Sequence, residues 1–424
     1  MSEQEQGAGN DRTSVELFAG GGGLAQAVER AGFRPLLFNE FAKRACETLQ
    51  ANGAKLLDEG QVPNIPEPGQ PCPLKSGDIR KVDFDHLKDK VDILAGGPPC
   101  QPFSLGGVAK GDEDERNMFP EMFRAIREME PKAVICENVR GLLRPSFKPY
   151  FEYILREMQL PFEERSESAA WQEHDAILRR RIEDGSSDSR RRYQVFMKPV
   201  NAADYGVPQI RHRIIIVAFR ADLGVDLEKF EKLVSETHSN DALIHSMTNG
   251  EYWERHKVRK KVREKVMADL PPEALVSDGL KPWRTLRDAI AGNFENEPKL
   301  PDIKDEQLNR EPRKVRGVTE HIGWPGARIY DGHTPNVLDR PAKTVKAGVH
   351  GVPGGESVML RDDGTHRYMS VRETARVMTF PDTWKLEGPR GEQMRQLGNA
   401  VPVLLGEVFA KAVAQVLDEA EAQR

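Results

Sequence analysis

Val91-Asp92-Ile93-Leu94-Ala95-Gly96-Gly97-Pro98-Pro99-Cys100-Gln101-Pro102-Phe103-Ser104 joins a short apolar run to a loop of Gly and Pro with one cysteine at its head. Residues 91–95 read as a buried strand, since the run is too short for a helix and Gly-Gly closes it. The Gly96-Gly97-Pro98-Pro99 that follows forces a tight, rigid turn. Cys100 is thereby stationed at the mouth of a sheet, where open α/β folds keep their ligands. A packed, inert cysteine needs no such frame. The pattern points to a nucleophilic thiol.

Outward from this stretch, short apolar runs alternate with helical patterns. Ser14-Val15-Glu16-Leu17-Phe18 reads as a first strand, residues 19–23 as a glycine-rich turn and 24–31 as a helix. Pro35-Leu36-Leu37-Phe38 reads as a second strand, followed by a helix over about 42–52 and a Pro-rich loop over 61–73. Ala133-Val134-Ile135-Cys136 is a further strand. Arg213-Ile214-Ile215-Ile216-Val217-Ala218-Phe219 is β-branched and almost wholly apolar, so it is expected in the centre of the sheet. This rhythm is that of an α/β fold with a parallel sheet and crossover helices. Near Asp222 the chain changes character. From there to about 335 it is charged, Pro-interrupted and weakly periodic, which suggests a second unit of irregular or short β structure. Residues 163–192 read as a charged insertion. At the end, Val403, Leu404, Val408, Ala412, Val413, Val416 and Leu417 line one helix face.

With 424 residues, 38% of them hydrophobic, the chain can bury a sizeable core in two or three domains. Residues 1–12 read as a frayed tail. No apolar run is read as long enough to cross a bilayer, and no signal peptide is read at the start. The four cysteines form no C-x-x-C unit, so no zinc site is expected, and a reducing cytosol suits a free thiolate. The net charge of -5 argues against a polycation. Local basic clusters still allow nucleic acid: seven Lys/Arg against three Glu over 251–265, Arg179-Arg180-Arg181, and Arg190-Arg191-Arg192. Each of these can equally be a solvated helix face.

Each strand end delivers a chemical group. The first ends in Phe18-Ala19-Gly20-Gly21-Gly22-Gly23, glycines that let backbone approach a ligand at a helix start. The second ends in Asn39-Glu40, an acid about twenty residues on, as ribose hydroxyls require. Gly77-Asp78-Ile79 offers an acid beside an apolar residue that could bracket a purine. A nicotinamide or flavin site remains a rival for these three. Glu137, just after the Cys136 strand, is a candidate proton donor near Cys100. Arg211 and Arg213 alternate at the start of the last apolar strand, so they share a face if the strand begins there.

Together these blocks resemble the cytosine-C5 DNA methyltransferase family. The blocks stand in the family's order: residues 16–23, Gly97 to Ser104, Glu137-Asn138-Val139-Arg140-Gly141 and Gln209-Ile210-Arg211-His212-Arg213. Then come Arg340-Pro341-Ala342-Lys343-Thr344-Val345, Arg372-Glu373 through Phe380-Pro381-Asp382, and Gln396-Leu397-Gly398-Asn399-Ala400-Val401-Pro402. The resemblance covers about 14–414, apart from 163–192 and 222–335. Glu16, Ala27 and Ala400 depart from the usual Asp, Gly and Ser.

The resemblance implies a Rossmann-like S-adenosylmethionine-dependent methyltransferase domain over 13–221 and a smaller target-recognition domain over 222–370. A hinge over 371–395 and a segment over 396–424 that returns to the first domain follow. It implies methyl transfer to C5 of a cytosine flipped out of duplex DNA, through a Cys100–C6 adduct. Cytosine C5 is otherwise too poor a nucleophile. Glu137 would protonate or hydrogen-bond N3, which needs it to hold a proton near neutral pH; Arg213 would bond O2 and orient Glu137, and Arg211 would support the adduct. Phe18, Ala19, Gly20, Gly22, Glu40, Asp78, Ile79, Pro98, Asn399 and Val401 would hold the cofactor. Pro99, Gln101, Ser104 and Arg116 would meet the substrate, with 105–118 as a lid. No metal is implied. The alternative substrate is transfer RNA, methylated by one branch of the family. A binding protein with a disused pocket would have lost Cys100 or Glu137, and an oxidoreductase leaves the Pro-Pro-Cys block unexplained. The implied setting is a monomer in the cytoplasm, associated with the nucleoid, with double-stranded DNA and a possible cognate restriction endonuclease as partners and no membrane.

Overall fold

The structure, a computed structural model, describes residues 11–58, 60–99, 117–185, 188–270, 278–292, 298–304, 308, 314–315, 318–321, 323–329, 334–347 and 357–423. Cys100, Gln101, Ser104 and Arg116, with nearly all of the expected lid, lie outside these residues. The first half of the chain runs β1 (Thr13–Leu17), α1 (Gly23–Arg30), β2 (Arg34–Glu40), α2 (Lys43–Ala51), β3 (Lys55–Leu56) and β4 (Pro73–Ser76). Then follow β5 (Ile93–Gly96), α3 (Phe119–Met129), β6 (Ala133–Val139), α4 (Lys148–Gln159), α5 (Trp171–Asp184), β7 (Tyr193–Asn201) and β8 (His212–Arg220).

These eight strands make one sheet in the order β3-β4-β2-β1-β5-β6-β8-β7. β1 pairs in parallel with β2 on one side and β5 on the other. The chain therefore builds outward in both directions from β1, and the crevice at the carboxyl ends of β1 and β5 is a topological switch point. β8 is buried on both faces between β6 and β7, as its composition predicts. It runs antiparallel to both and lies next to the sheet edge rather than at its centre. β7, unread in the sequence, is the edge strand; Pro199 is tolerated there, where a central ladder would reject it.

Side chains alternate across the sheet. Ile93, Ala95, Ala133, Ile135, Ile215, Val217 and Phe219 belong to one apolar cluster, shared with α1. Val15, Leu17, Leu37, Leu94, Val134, Cys136, Ile214 and Ile216 belong to another, shared with α3 and α4. The charged stretch before β7 contains α5, which buries His174, Asp175 and Leu178 and is tied to α4 by Arg156 Nε–Asp175 Oδ1 at 2.6 Å.

From Asp222 to about 292 the chain holds short helices, against the expectation of irregular or short β structure; beyond them, to about 335, the described residues are irregular with short strands, as expected. The helices are α6 (Leu227–Leu233), α7 (Asn240–Thr248), α8 (Glu251–His256), α9 (Lys260–Ala268) and α10 (Leu286–Ala291), joined by strand pairs of two or three residues. Val225, Phe230, Val234, Leu286 and Met359 all belong to the same cluster as Phe219. The change of composition at 222 is thus not a break in the core.

Three helices complete the chain: α11 (Val371–Val377), α12 (Arg390–Asn399) and α13 (Val403–Ala422). By length and composition the stretch Arg390–Ala422 could cross a membrane, which the sequence reading did not anticipate; 67% of its most apolar window is buried inside the fold. α13 lies on α1 so closely that a Cβ at Gly406 would stand 2.7 Å from Ala27 Cβ. The small residue this crossing needs is supplied by α13, which lets Ala27 stand in α1. Below the sheet, Arg12 donates from Nε to Asp418 Oδ1 at 2.9 Å and pairs with Glu421, while Lys132 bridges Glu421 at 2.7 Å and Asp92 at 2.8 Å. A network of this kind holds better than isolated exposed pairs.

Gly406→Ala is expected to destabilise the protein by about 1–3 kcal/mol through overpacking. Gly391→Ala, on an exposed part of α12 with no atom within 4 Å of the new Cβ, is expected to stabilise it by about 0.5–1 kcal/mol. Urea denaturation of the two variants checks both signs.

Candidate active site

At the switch point the ends of β1, β2 and β4 are sewn together by polar contacts. Glu40, at the end of β2, accepts from Gly20 N at 2.7 Å and Ala42 N at 2.6 Å. Asn39 donates to Lys75 O at 3.0 Å and Gly77 O at 3.3 Å, binding the β4 exit to β2. Burial raises the Glu40 carboxyl, and the backbone bonds from Ala42, Gly20 and Phe41 oppose that rise. Phe18 leaves β1 with φ at 56° and its ring half-buried, a conformation that costs a bulky residue energy and is kept where surroundings impose it.

The glycine turn is shaped chiefly by the chain's own last segments. Gly22 has φ at 86°, and a Cβ there would lie 2.6 Å from Trp384 Cζ2. One on Gly23 would lie 2.3 Å from Val401 O. Trp384 also donates from Nε1 to Gly21 O at 3.0 Å. The glycines expected to approach a ligand are thus in contact with protein at Gly21, Gly22 and Gly23. Gly20 alone faces open space, its nearest foreign atom being 3.9 Å from an added Cβ. A dinucleotide's pyrophosphate would need this helix start open, and it is closed.

Glu137 stands near the end of β6, and Arg213 lies diagonally across from it on β8. Arg213 Nε approaches Glu137 Oε1 to 2.6 Å, a close ion pair not aligned as a hydrogen bond. Both side chains are largely buried, at 14% and 9% exposure. The other carboxylate oxygen faces the Pro-Pro-Cys loop: a Cβ on Gly97 would stand 3.7 Å from Oε2. Asn138 donates to Pro98 O at 3.0 Å, and Met118 N to Pro99 O at 3.2 Å. The chain on both sides of residues 100–116 is thereby fixed beside Glu137.

Arg211 and Arg213 part company in what they hold. Arg211 precedes β8, is 1% exposed, and donates to Val345 O at 2.9 Å, Gly398 O at 2.8 Å and Ala400 O at 3.0 Å. Burial, with Arg213's charge adding, pushes it down to about 9, against the pull of Glu137. The expectation of a group beside the reacting base is corrected: its terminal nitrogens are committed to backbone, and it holds the frame.

The other expected site residues divide. Ala19, Gly20, Glu40, Pro98, Pro99 and Glu137 lie at neighbouring strand ends. Ile79 is buried in a core cluster. Asp78 caps its own turn through Arg80 N and pairs with the Arg80 side chain at 2.7 Å. Val401 packs into the main core, and Asn399 is exposed. The sequence did not single out Asn138, Trp384 or Gln396, whose Cβ would be 3.2 Å from one on Gly21. Asn138 lies in a quoted block; Trp384 had no local signal at all. Cys46, Cys72 and Cys136 are buried, and burial pushes each thiol up and away from thiolate. That leaves Cys100 as the candidate nucleophile.

The sequence profile of the C-5 cytosine-specific DNA methylases matches residues 12–160 and 187–415, leaving out the whole of α5. The chain is 30% identical over 429 residues to the type II methyltransferase M.Eco47II of Escherichia coli, covering 97% of this chain and 80% of that one. It is 29% identical to the type II methyltransferase M.NgoMIV of Neisseria gonorrhoeae, covering 96% and 98%. Its fold is similar to that of the S. pombe Dnmt2 methyltransferase, with a TM-score of 0.51 at 15% identity over 96% of this chain and 99% of that one.

Glu16, in the middle of β1, is fully buried with Oε2 unpartnered among the described residues. Burial, then the charge of Glu40, pushes its carboxyl well above the ordinary value. Above about pH 4.3 the unfolded chain releases this proton while the folded chain keeps it, so stability falls as pH rises. Glu16→Gln removes that slope. The melting temperature of the variant relative to wild type is expected to rise steadily from about pH 5 to about pH 8.

Proposed function

This chain belongs to the C-5 cytosine-specific DNA methylase family and is a DNA (cytosine-5-)-methyltransferase, and we propose that it acts on a cytosine turned out of duplex DNA through a transient bond from the Cys100 sulfur to C6. The observation that carries this reading is the Arg213–Glu137 pair at 2.6 Å, facing the backbone that leads into Cys100. A base inside a stacked duplex cannot reach such a recessed pair, so it must leave the stack at a cost of a few kcal/mol.

The chemistry follows from the groups present. The Cys100 thiolate forms the S–C6 bond, and the C5–C6 π electrons move to make C5 nucleophilic. Glu137 gives a proton to N3 as charge develops there. Arg213 fixes the Glu137 carboxyl and hydrogen-bonds O2. Arg211 is a positioning residue: it holds the 345 and 398–400 backbone that supports Arg213's strand start. After methylation C5 loses its proton to a base, the S–C6 electron pair leaves with the Cys100 sulfur, N3 returns its proton to Glu137, and the ring is restored.

The strand ends at the switch point fit S-adenosylmethionine better than a dinucleotide. An added Cβ at Gly20 would meet nothing nearer than Phe18 O at 3.9 Å, and the Glu40 carboxylate, with three backbone bonds, keeps acceptor capacity for a ligand. Phe18, Ala19, Gly20, Glu40, Ile79, Pro98 and Asn399 would hold it, with Asp78 once freed from Arg80. When bound, it supplies an electrophilic methyl group. Gly22 and Val401 shape the wall rather than touch it. Residues 222–370 serve as the target-recognition domain, with the basic α8 and α9 region offering phosphate contacts, and 371–395 as a hinge. Relatives named type II methyltransferases support a restriction-modification role; a cognate endonuclease as partner and action as a cytoplasmic monomer belong to the proposal.

Conversion sequencing of DNA from cells expressing the protein should show methylated cytosines in one short motif and none with Cys100→Ser. Methylation that persists in Cys100→Ser cells would overturn the nucleophile. A 5-fluorocytosine duplex should become covalently attached to the wild-type enzyme. Arg213→Ala should lower the rate of that attachment by about 10²–10³-fold, and transfer RNA should accept no labelled methyl.

A further inference from the structure

A cavity of about 560 Å³ opens between the lead into β8 and the 334–343 segment. Ile210, Trp283 and Pro341 form its apolar walls, and Asn240, Arg340 and Lys343 stand at its rim. None of these is among the groups assigned to cofactor or target cytosine. The walls are built rather than incidental. Residues 209 and 342 form a parallel bridge, with Ile210 N donating to Ala342 O at 2.8 Å. Trp283 is oriented by its own donor, Nε1 to Asp204 Oδ1 at 2.9 Å, and its ring is half-buried. Arg340 Nη1 donates to Asn240 Oδ1 at 3.1 Å, and Lys343 Nζ to Thr334 Oγ1 at 2.6 Å. Both cations are thus held by neutral oxygens, and among the described residues neither has a carboxylate partner.

We propose that this cavity binds one nucleotide of the DNA strand beside the target cytosine, its base against Trp283 and its phosphate between Arg340 and Lys343. The inference rests on the DNA methyltransferase reading above. A nucleotide is flat and apolar on its ring faces and anionic at one end, which is the layout of these walls and this rim. Ring stacking on an indole and pairing of phosphate with unneutralised cations are the two terms that bind single nucleotides without base reading. Position agrees. Three residues of extended chain separate Ile210 from Arg213, a span of roughly 10 Å. With about 3.4 Å of rise per nucleotide along a strand, the bound nucleotide lies within about three positions of the target. The site would take up a nucleotide beside the one that leaves its stack.

The test uses the full chain and the duplex identified by conversion sequencing, with affinity read by fluorescence anisotropy over a series of salt concentrations. Trp283→Ala should weaken DNA binding about tenfold, and Trp283→Phe, which keeps a ring, should restore most of it. Lys343→Met should flatten the log–log salt slope by about 0.9. S-adenosylmethionine affinity should be unchanged in all three. A 5-iodouracil placed within three positions of the target should photocrosslink to Trp283, an outcome that does not depend on any variant folding. Wild-type affinity and salt slope in Trp283→Ala and Lys343→Met, or crosslinking that maps elsewhere, would overturn the pocket while leaving the enzyme reading intact. A wild-type protein that neither binds nor methylates duplex DNA would overturn the reading itself.

Discussion

One buried guanidinium holds the catalytic end of this protein together. Arg211 reaches carbonyls at 345, 398 and 400, which are distant in sequence and have no helix or strand in common. A charge so buried is costly unless its donors are met. The three carbonyls meet its terminal nitrogens, Nε having no partner among the described residues, and the charge in turn satisfies backbone that would otherwise be orphaned away from water. Everything placed near it follows. The start of β8 is fixed, so Arg213 is aimed; Arg213 then holds Glu137, and Glu137 faces the loop that leads to Cys100.

The other half of the site obeys a steric constraint. Gly21, Gly22 and Gly23 let the first turn sit against Gln396, Trp384 and Val401 with no side chain between. A glycine-rich turn after a first strand is commonly taken for a phosphate cradle. Here its smallness admits protein, and the surface left for a ligand lies at Gly20 and at the Glu40 carboxylate. The acidic strand ends and the closed helix start are the two features on which the proposal of S-adenosylmethionine over a dinucleotide rests.

The sequence made the central strands legible because burial on both faces leaves near-continuous apolar runs, as in residues 93–95, 133–136 and 214–219. Glu137 and Cys100 are candidates from sequence because the first follows such a run directly and the second follows one after Gly96-Gly97-Pro98-Pro99. The central place expected for β8 failed for a topological reason: β7 and β8 form an antiparallel pair joined through the 202–211 turn, and β7 hides its strand character behind Pro199 and half-exposed polar positions. The separate fates of Arg211 and Arg213 could not be read from their spacing. What divides them is the arrival of backbone from residues 345 and 398–400, a fact of tertiary structure. The short helices after 222 were missed because each spans fewer than ten residues, too few to display a period. Gly406 shows the reverse case. The departure at Ala27 is plain in the sequence, and its compensation sits in another helix nearly four hundred residues on.

That last pairing has a bearing on how the chain matures as it leaves the ribosome. The first turn and helix to be synthesised pack against Trp384, Gln396, Val401 and Gly406, and Arg12 finds Asp418 and Glu421. Contacts of such sequence separation are slow to form, and none can form until their later halves have emerged. A growing chain therefore holds the sheet's parts without the wall behind its glycine turn. The nascent polypeptide would remain unable to modify the genome beside it until synthesis is nearly finished.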